Sequence, residues 1–142
     1  MDRKKENFKA LNELLQGEYM AVESLNNFIS RVEDDKIKNG LQDVQKQHRE
    51  NIDMLASYIQ NIGGQPDENL GMKGKMAELK MNIDLVKSNA EDIVKEAIEG
   101  ETKGIEMTEK ILRGNLDEKS RDLTGEILAN DRKSIDKLKS LL

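Results

Sequence analysis

Apolar residues recur at three- and four-residue steps along almost the whole chain, and this spacing favours amphipathic helices over any other structure. The first apolar stripe predicts one helix over about residues 4–32, and the next predicts a second helix from Ile37 to Ile62. The sequence Gly-Gly-Gln-Pro at 63–66 then gives the order of glycine and proline that ends helices. The first half of the chain is therefore predicted to be a helical hairpin.

The second half repeats this organisation after a long connection. A shorter apolar stripe over 72–86 predicts a short helix within that connection. Ser88 is spaced from a glutamate as in a capping box and predicts the start of the third long helix, which Gly114 is expected to end. Asp34 and Asp117 are predicted N-caps of the second and fourth long helices.

These elements predict one all-α domain over residues 1–142, an antiparallel four-helix bundle made of two helical hairpins. The predicted first hairpin covers 4–62, and the second covers 89–142. The crossover, 63–88, carries the extra short helix.

Composition supports this class and excludes several functions. Aromatic residues make up 3% of the chain and there is a single proline, which disfavours a sheet protein. The net charge of −5 offers no attraction for nucleic acid or for an anionic membrane. There is no cysteine for thiolate sites, and no apolar run long enough for a signal peptide or a membrane span. We therefore expect a cytoplasmic protein with neither nucleic acid nor a membrane as partner.

A repeat with an offset of 83 residues joins the two hairpins without any insertion. It places Glu18 on Glu101, each following a glycine in the middle of an apolar stripe. Further pairs match at the same offset: Glu13 with Glu96, Gly17 with Gly100, Asp34 with Asp117, Val44 with Ile127, Ile52 with Ile135, and Leu55 with Leu138. The chain is thus predicted to be a duplicated hairpin.

Two carboxylates on the buried stripes need an explanation, because an unpaired buried charge costs several kcal/mol. In a duplicated bundle Glu18 and Glu101 face each other, and His48 and Asp131 occupy the stripe positions of the other two helices. The carboxylates must therefore be protonated, paired with His48, or bound to a metal ion. The glycines beside them, Gly17 and Gly100, predict a close approach of the helices.

In this layout the chain resembles the ferritin-like superfamily, near its small rubrerythrin-like members and a related bacterial family of stand-alone bundles of unassigned function. In that superfamily two helices each supply a glutamate and two supply Glu-x-x-His, which together bind two iron or manganese ions. The resemblance assigns Glu18 and Glu101 to the single glutamates. It places the Glu-x-x-His positions on two pairs of residues: His48 with Asn51, and Asp131 with Ser134.

These substitutions leave fewer strong ligands than two ions require. The resemblance implies an iron or manganese site without an organic cofactor, and with the residues present a single ion is chemically reasonable. Its predicted ligands are Glu18, His48, Glu101 and Asp131, with Asn51 and Ser134 as weaker candidates.

Two functions remain open at this point. The first is a non-haem metal protein with little or no turnover, whose activity, if any, would be that of an iron oxidase or peroxidase. The second is a metal-free remnant of a di-iron protein that serves as a structural or interaction module. A homodimer is compatible with either function, and the sequence indicates no particular protein partner.

Overall fold

Four α-helices make up most of the part of the chain that the computed structural model describes, residues 2–68 and 89–142. They are α1 (Asp2–Ser30), α2 (Asp35–Asn61), α3 (Ala90–Leu112) and α4 (Glu118–Lys139). These two ranges contain no strand, so the predicted all-α class is confirmed. The short helix predicted in the crossover lies outside the described residues. No helix in the described ranges is long and apolar enough to cross a membrane.

Both predicted aspartate caps are confirmed. The Asp34 side chain accepts a hydrogen bond from the backbone N–H of Ile37, and Asp117 accepts one from the backbone N–H of Ser120 at 2.8 Å. Each bond satisfies one of the N–H groups that a helix leaves free at its start. The two caps are 83 residues apart, so α2 and α4 begin at equivalent positions of the repeat.

The start of α3 differs from the prediction. Its N-cap is Asn89, whose side chain accepts hydrogen bonds from the backbone N–H groups of Glu91 and Asp92. The prediction of Ser88 as the cap was wrong by one residue. Asparagine and serine are about equally good N-caps, so the capping-box spacing alone could not choose between adjacent candidates.

The helices form a four-helix bundle with a square cross-section, in which adjacent helices run antiparallel. Helix α1 packs against α2 and α3, and α4 packs against the same two helices. Tyr58 near the end of α2 hydrogen-bonds Ser120 near the start of α4, whereas Asp43 pairs with Lys137 at the opposite ends. Helices α1 and α4 are thus on one diagonal of the square, and α2 and α3 are on the other.

The core consists of two apolar clusters separated by a polar layer. The first cluster contains Leu11, Leu14, Leu15, Val22, Ile52, Leu55, Ile59, Ile111, Leu116 and Ile127. The second contains Leu25, Phe28, Val32, Leu41, Val44, Ile93, Val94, Ala97 and Leu138. Between them on α2, α3 and α4 lie His48, Glu101 and Asp131, all buried. Every helix therefore contributes apolar residues on both sides of the layer.

Candidate metal centre

His48 lies at the centre of the polar layer and touches two carboxylates with its two ring nitrogens. The Nδ1 atom is 2.8 Å from Glu18 Oε1, and the Nε2 atom is 2.7 Å from Glu101 Oε2. The imidazole from α2 thus bridges its neighbour α1 and its diagonal partner α3. All three side chains are buried, and His48 is 3% exposed. The predicted convergence of these residues is therefore observed.

This geometry favours the doubly protonated ring. Burial by itself lowers the pKa of His48, but hydrogen bonds to Glu101 and Glu18 and the charges of both carboxylates raise it well above 6.5. Each ring nitrogen then donates a hydrogen bond to a carboxylate oxygen. The imidazolium provides the positive charge that two buried carboxylates require.

Asp131 completes the layer from α4. Its Oδ1 atom is 3.8 Å from His48 Nδ1, which is beyond hydrogen-bond distance. Burial raises the pKa of Asp131 to about 8, and repulsion from Glu18 adds to that effect, against the attraction of His48. In the absence of a metal ion, Asp131 is thus held largely in its neutral form at neutral pH.

Asn51 donates hydrogen bonds from its amide nitrogen to the carboxylates of Glu18 and Asp131. Its Nδ2 atom donates to Glu18 Oε1 at 2.8 Å and to Asp131 Oδ1 at 3.2 Å. Its Oδ1 atom accepts from Gln47 Nε2 and Asn130 Nδ2, each at 3.2 Å. All the hydrogen-bonding capacity of this fully buried amide is therefore used. Its oxygen, the atom that could bind a metal ion, faces away from the carboxylates.

The two outer amides, Gln47 and Asn130, were not predicted as part of the site. A signal for them exists in the sequence, because they are 83 residues apart and thus equivalent in the repeat. Each directly precedes a buried site residue, His48 or Asp131. The predicted ligands lie on the buried apolar stripes, whereas these two amides are half-buried at the edge of the stripe.

The opposite side of the layer, between α1 and α3, opens into a cavity of about 310 Å³ that we call the slot. Gly17, Gly100 and Gly104 line it, together with Glu18 and Glu101. The expected close approach of the helices at these glycines was wrong. A Cβ atom at Gly100 or Gly104 would meet nothing within 4 Å, and one at Gly17 would make only an ordinary contact with Met107. The missing side chains leave space where the sequence suggested tight packing.

Comparison with known proteins gives the family. The model of a domain family of unknown function, DUF2383, matches residues 6–114. The chain belongs to the DUF2383 family. The matched range includes Glu18, His48, Asn51 and Glu101. No curated protein matches the sequence.

Solved structures similar to this DUF2383 chain have a ferritin-like fold, as predicted. A dodecameric thioferritin, the bacterioferritin-related protein of Bacteroides fragilis, superposes with a TM-score of 0.75 and 18% identity over 99% of this chain and 85% of its own. A two-domain protein of Anabaena variabilis, with DJ-1/ThiJ/PfpI-like and ferritin-like domains, gives 0.74 and 19% over 94% of this chain. This match spans only 35% of the Anabaena protein. A conserved hypothetical protein of Mycobacterium tuberculosis gives 0.72 and 16%, over 97% and 98% of the two chains.

The buried donors of the DUF2383 chain suit one metal ion and do not suit two. Among the described residues, Glu18, His48 and Asp131 each offer a ligand atom, and these atoms lie within 4.8 Å of one another. Glu101 contacts the far ring nitrogen of His48 and is not in this group. Ser134 is buried on α4 at the position that the resemblance to the ferritin-like superfamily assigns to a histidine. Two ions would need the donors that Asn51 and Ser134 do not supply.

Proposed function

We propose that this protein binds one non-haem metal ion, iron or manganese, between Glu18, His48 and Asp131, with little or no turnover. The observation that supports the proposal is the group of three ligand atoms within 4.8 Å of one another in a buried layer. Two carboxylates and one imidazole are donors that iron and manganese accept.

In this proposal Glu101 positions His48 instead of binding the ion, which departs from the four-ligand set of the sequence prediction. Its Oε2 atom already lies 2.7 Å from His48 Nε2. A carboxylate on the far nitrogen of a ligating histidine fixes the ring and increases its basicity. His48 would then use Nδ1 for the metal ion, the nitrogen that faces Glu18 and Asp131.

Binding without turnover is proposed because the buried donors suit a single ion. An oxidase of the di-iron type depends on two ions held by six strong ligands, and here Asn51 directs its amide nitrogen toward the carboxylates. We therefore expect Fe(II) oxidation in air to proceed at the rate of protein-free buffer when this protein is added at catalytic concentration.

The test is elemental analysis of protein purified without chelator, reported per chain. Wild type should retain up to one iron or manganese ion, and Glu18→Gln and Asp131→Asn should lose most of it. The matched controls are Glu23→Gln on α1 and Asp136→Asn on α4, which change the same residue types at exposed positions. Equal metal content in the site variants and the controls would show that the ion is bound elsewhere.

A gain-of-ligand variant tests the same site in the opposite direction. Ser134→His restores an imidazole three residues after Asp131, on the same face of α4. We expect it to slow the loss of metal to chelator by at least about tenfold, because one more protein ligand must dissociate. Ser140→His, at the exposed end of the helix, is the control and should leave the rate unchanged.

One observation favours the second function, a metal-free structural module. Both ring nitrogens of His48 are within hydrogen-bond distance of carboxylates, so the imidazolium can replace the metal ion in the charge balance. In that case replacing Glu18 and Glu101 together by glutamine should leave the melting temperature unchanged or higher. If a metal is bound, the same double variant loses the increase in melting temperature that added Mn(II) gives to wild type.

A further inference from the structure

We infer that the slot between α1 and α3 binds a small amphiphile whose cationic amine head reaches Glu101. The slot has a volume of about 310 Å³ and ends at the polar layer. That volume is at the lower end of the range for small-molecule sites in proteins. The inference does not depend on the metal proposal, because the head would contact an atom outside the group of metal ligands.

The atom that indicates a ligand is Glu101 Oε1. Glu101 is 7% exposed and lines the slot. Its Oε2 atom accepts a hydrogen bond from His48 Nε2. Its Oε1 atom is buried and has no hydrogen-bond partner among the described residues. An unsatisfied buried acceptor is unfavourable, and more so when it is charged. A donor that enters through the slot would remove this penalty.

Two glycines of α3 that line the slot leave its volume free of side chains. Gly100 and Gly104 lie inside α3, where glycine lowers helix stability relative to alanine. A Cβ atom would be accommodated at both positions, so the packing of the helices does not require glycine there. An open path to Glu101 does require it, because side chains at these positions would point into the slot.

The walls and the inner end of the slot specify the chemistry of the ligand. Leu14, Leu25 and Phe28 form apolar walls on α1. At the inner end, the two carboxylates of Glu18 and Glu101 outnumber the single imidazolium of His48. Among the described residues of the lining, the one lysine or arginine is Lys103, which is 75% exposed and paired with Glu99. An alkyl chain with an ammonium head fits this arrangement, and an alkyl carboxylate would be repelled at the inner end.

The probe is octylamine, with octanol and octanoate as neutral and anionic analogues, titrated into the full chain in the presence of chelator. We expect octylamine to bind at least about tenfold more tightly than either analogue, because only the ammonium forms a hydrogen bond to Glu101 in which donor and acceptor carry opposite charges. The methyl signals of Met20 and Met107, which line the slot, should shift in NMR spectra. The methyl signal of Met54, which packs in the first apolar cluster, should not shift.

Two variants make the result specific. Gly104→Leu fills the slot and should weaken octylamine binding by at least about tenfold, whereas Gly125→Leu makes the same change in open space on α4 and should not. Glu101→Gln should weaken octylamine but not octanol. Equal binding of octylamine and octanoate, or undiminished binding to Gly104→Leu, would overturn the inference. Metal content is measured separately, so failure here leaves the metal proposal standing, and the converse also holds.

Discussion

The two sides of the polar layer are built in opposite ways. On the side of α2 and α4, the side-chain amide of the fully buried Asn51 donates two hydrogen bonds and accepts two. On the side of α1 and α3, glycines replace side chains and the layer opens into the slot. One side of the layer is therefore fixed by hydrogen bonds, and the other borders a cavity lined by described residues of α1 and α3.

This contrast occurs in both halves of the repeat. Gln47 and Asn130 are equivalent amides on the closed side, and Gly17 and Gly100 are equivalent glycines on the open side. The repeat thus generates two like halves around a layer whose two sides differ. The main chemical difference between the halves is at the site itself, where His48 corresponds to Asp131. That exchange replaces one carboxylate by an imidazole.

The largest expected effect comes from breaking the closed side with Asn51→Leu. The change removes donors from Glu18 and Asp131 and leaves the amides of Gln47 and Asn130 without their acceptor. We expect a loss of about 3 kcal/mol or more in the free energy of unfolding, measured with urea. Asn39→Leu, at an exposed position of α2, is the control and should change stability by less than about 0.5 kcal/mol. Similar values for both variants would show that the amide network contributes little.

A smaller effect is expected from pH in the metal-free protein. Glu18, Glu101 and Asp131 face His48 from α1, α3 and α4. Folding raises the pKa of His48 above 6.5 and that of Asp131 from 3.8 to about 8, so the folded state binds more protons than the unfolded state between the unfolded and folded pKa values of each group. The stability that these protons give is present below the unfolded values and is lost as pH rises through the folded ones.

Melting of the chelated protein between pH 6 and 9 measures this loss. We expect a decrease of at least about 1.4 kcal/mol, the free energy that corresponds to one pKa unit. Asp131→Asn should flatten the profile between pH 6 and 8, and the exposed control Asp136→Asn should retain it. A profile that rises with pH in wild type would contradict the protonated state of the layer.

The smallest effect should come from the open side. Gly104→Ala restores helix propensity and its Cβ atom meets nothing within 4 Å, so we expect a gain of up to about 1 kcal/mol. Gly64→Ala should instead destabilise the protein, because its Cβ atom would lie 2.5 Å from the Phe8 ring. Urea unfolding of both variants compares them directly. A destabilising Gly104→Ala would mean that the slot is closed in solution.

Helix periodicity and the repeat were sufficient to predict the bundle and the residues of the polar layer. Leu11, Leu41 and Ile127 are fully buried on the predicted stripes, and both aspartate caps are at their predicted positions. Spacing of apolar residues determines which face of a helix is buried, and so it brought Glu18, His48 and Asp131 together.

The orientation of side chains within the layer could not be predicted in this way. Periodicity does not show that Asn51 directs its nitrogen toward the carboxylates, or that Glu101 contacts the far side of the imidazole. The glycines were predicted to allow close packing of the helices, but they border a cavity instead. Glycine in a helix is compatible with both arrangements. The distance between the helices decides between close packing and a cavity, and this distance cannot be read from the sequence.

A crystal structure of the protein reconstituted with Mn(II), with an anomalous difference map, tests the central claim most directly. We predict one peak in the layer, contacted by Glu18 Oε1, His48 Nδ1 and Asp131 Oδ1, with Glu101 still on His48 Nε2. Two peaks would contradict the single-ion site. A map with no peak, and with His48 still bonded to both Glu18 and Glu101, would contradict metal binding itself and leave the metal-free module as the function of this bundle.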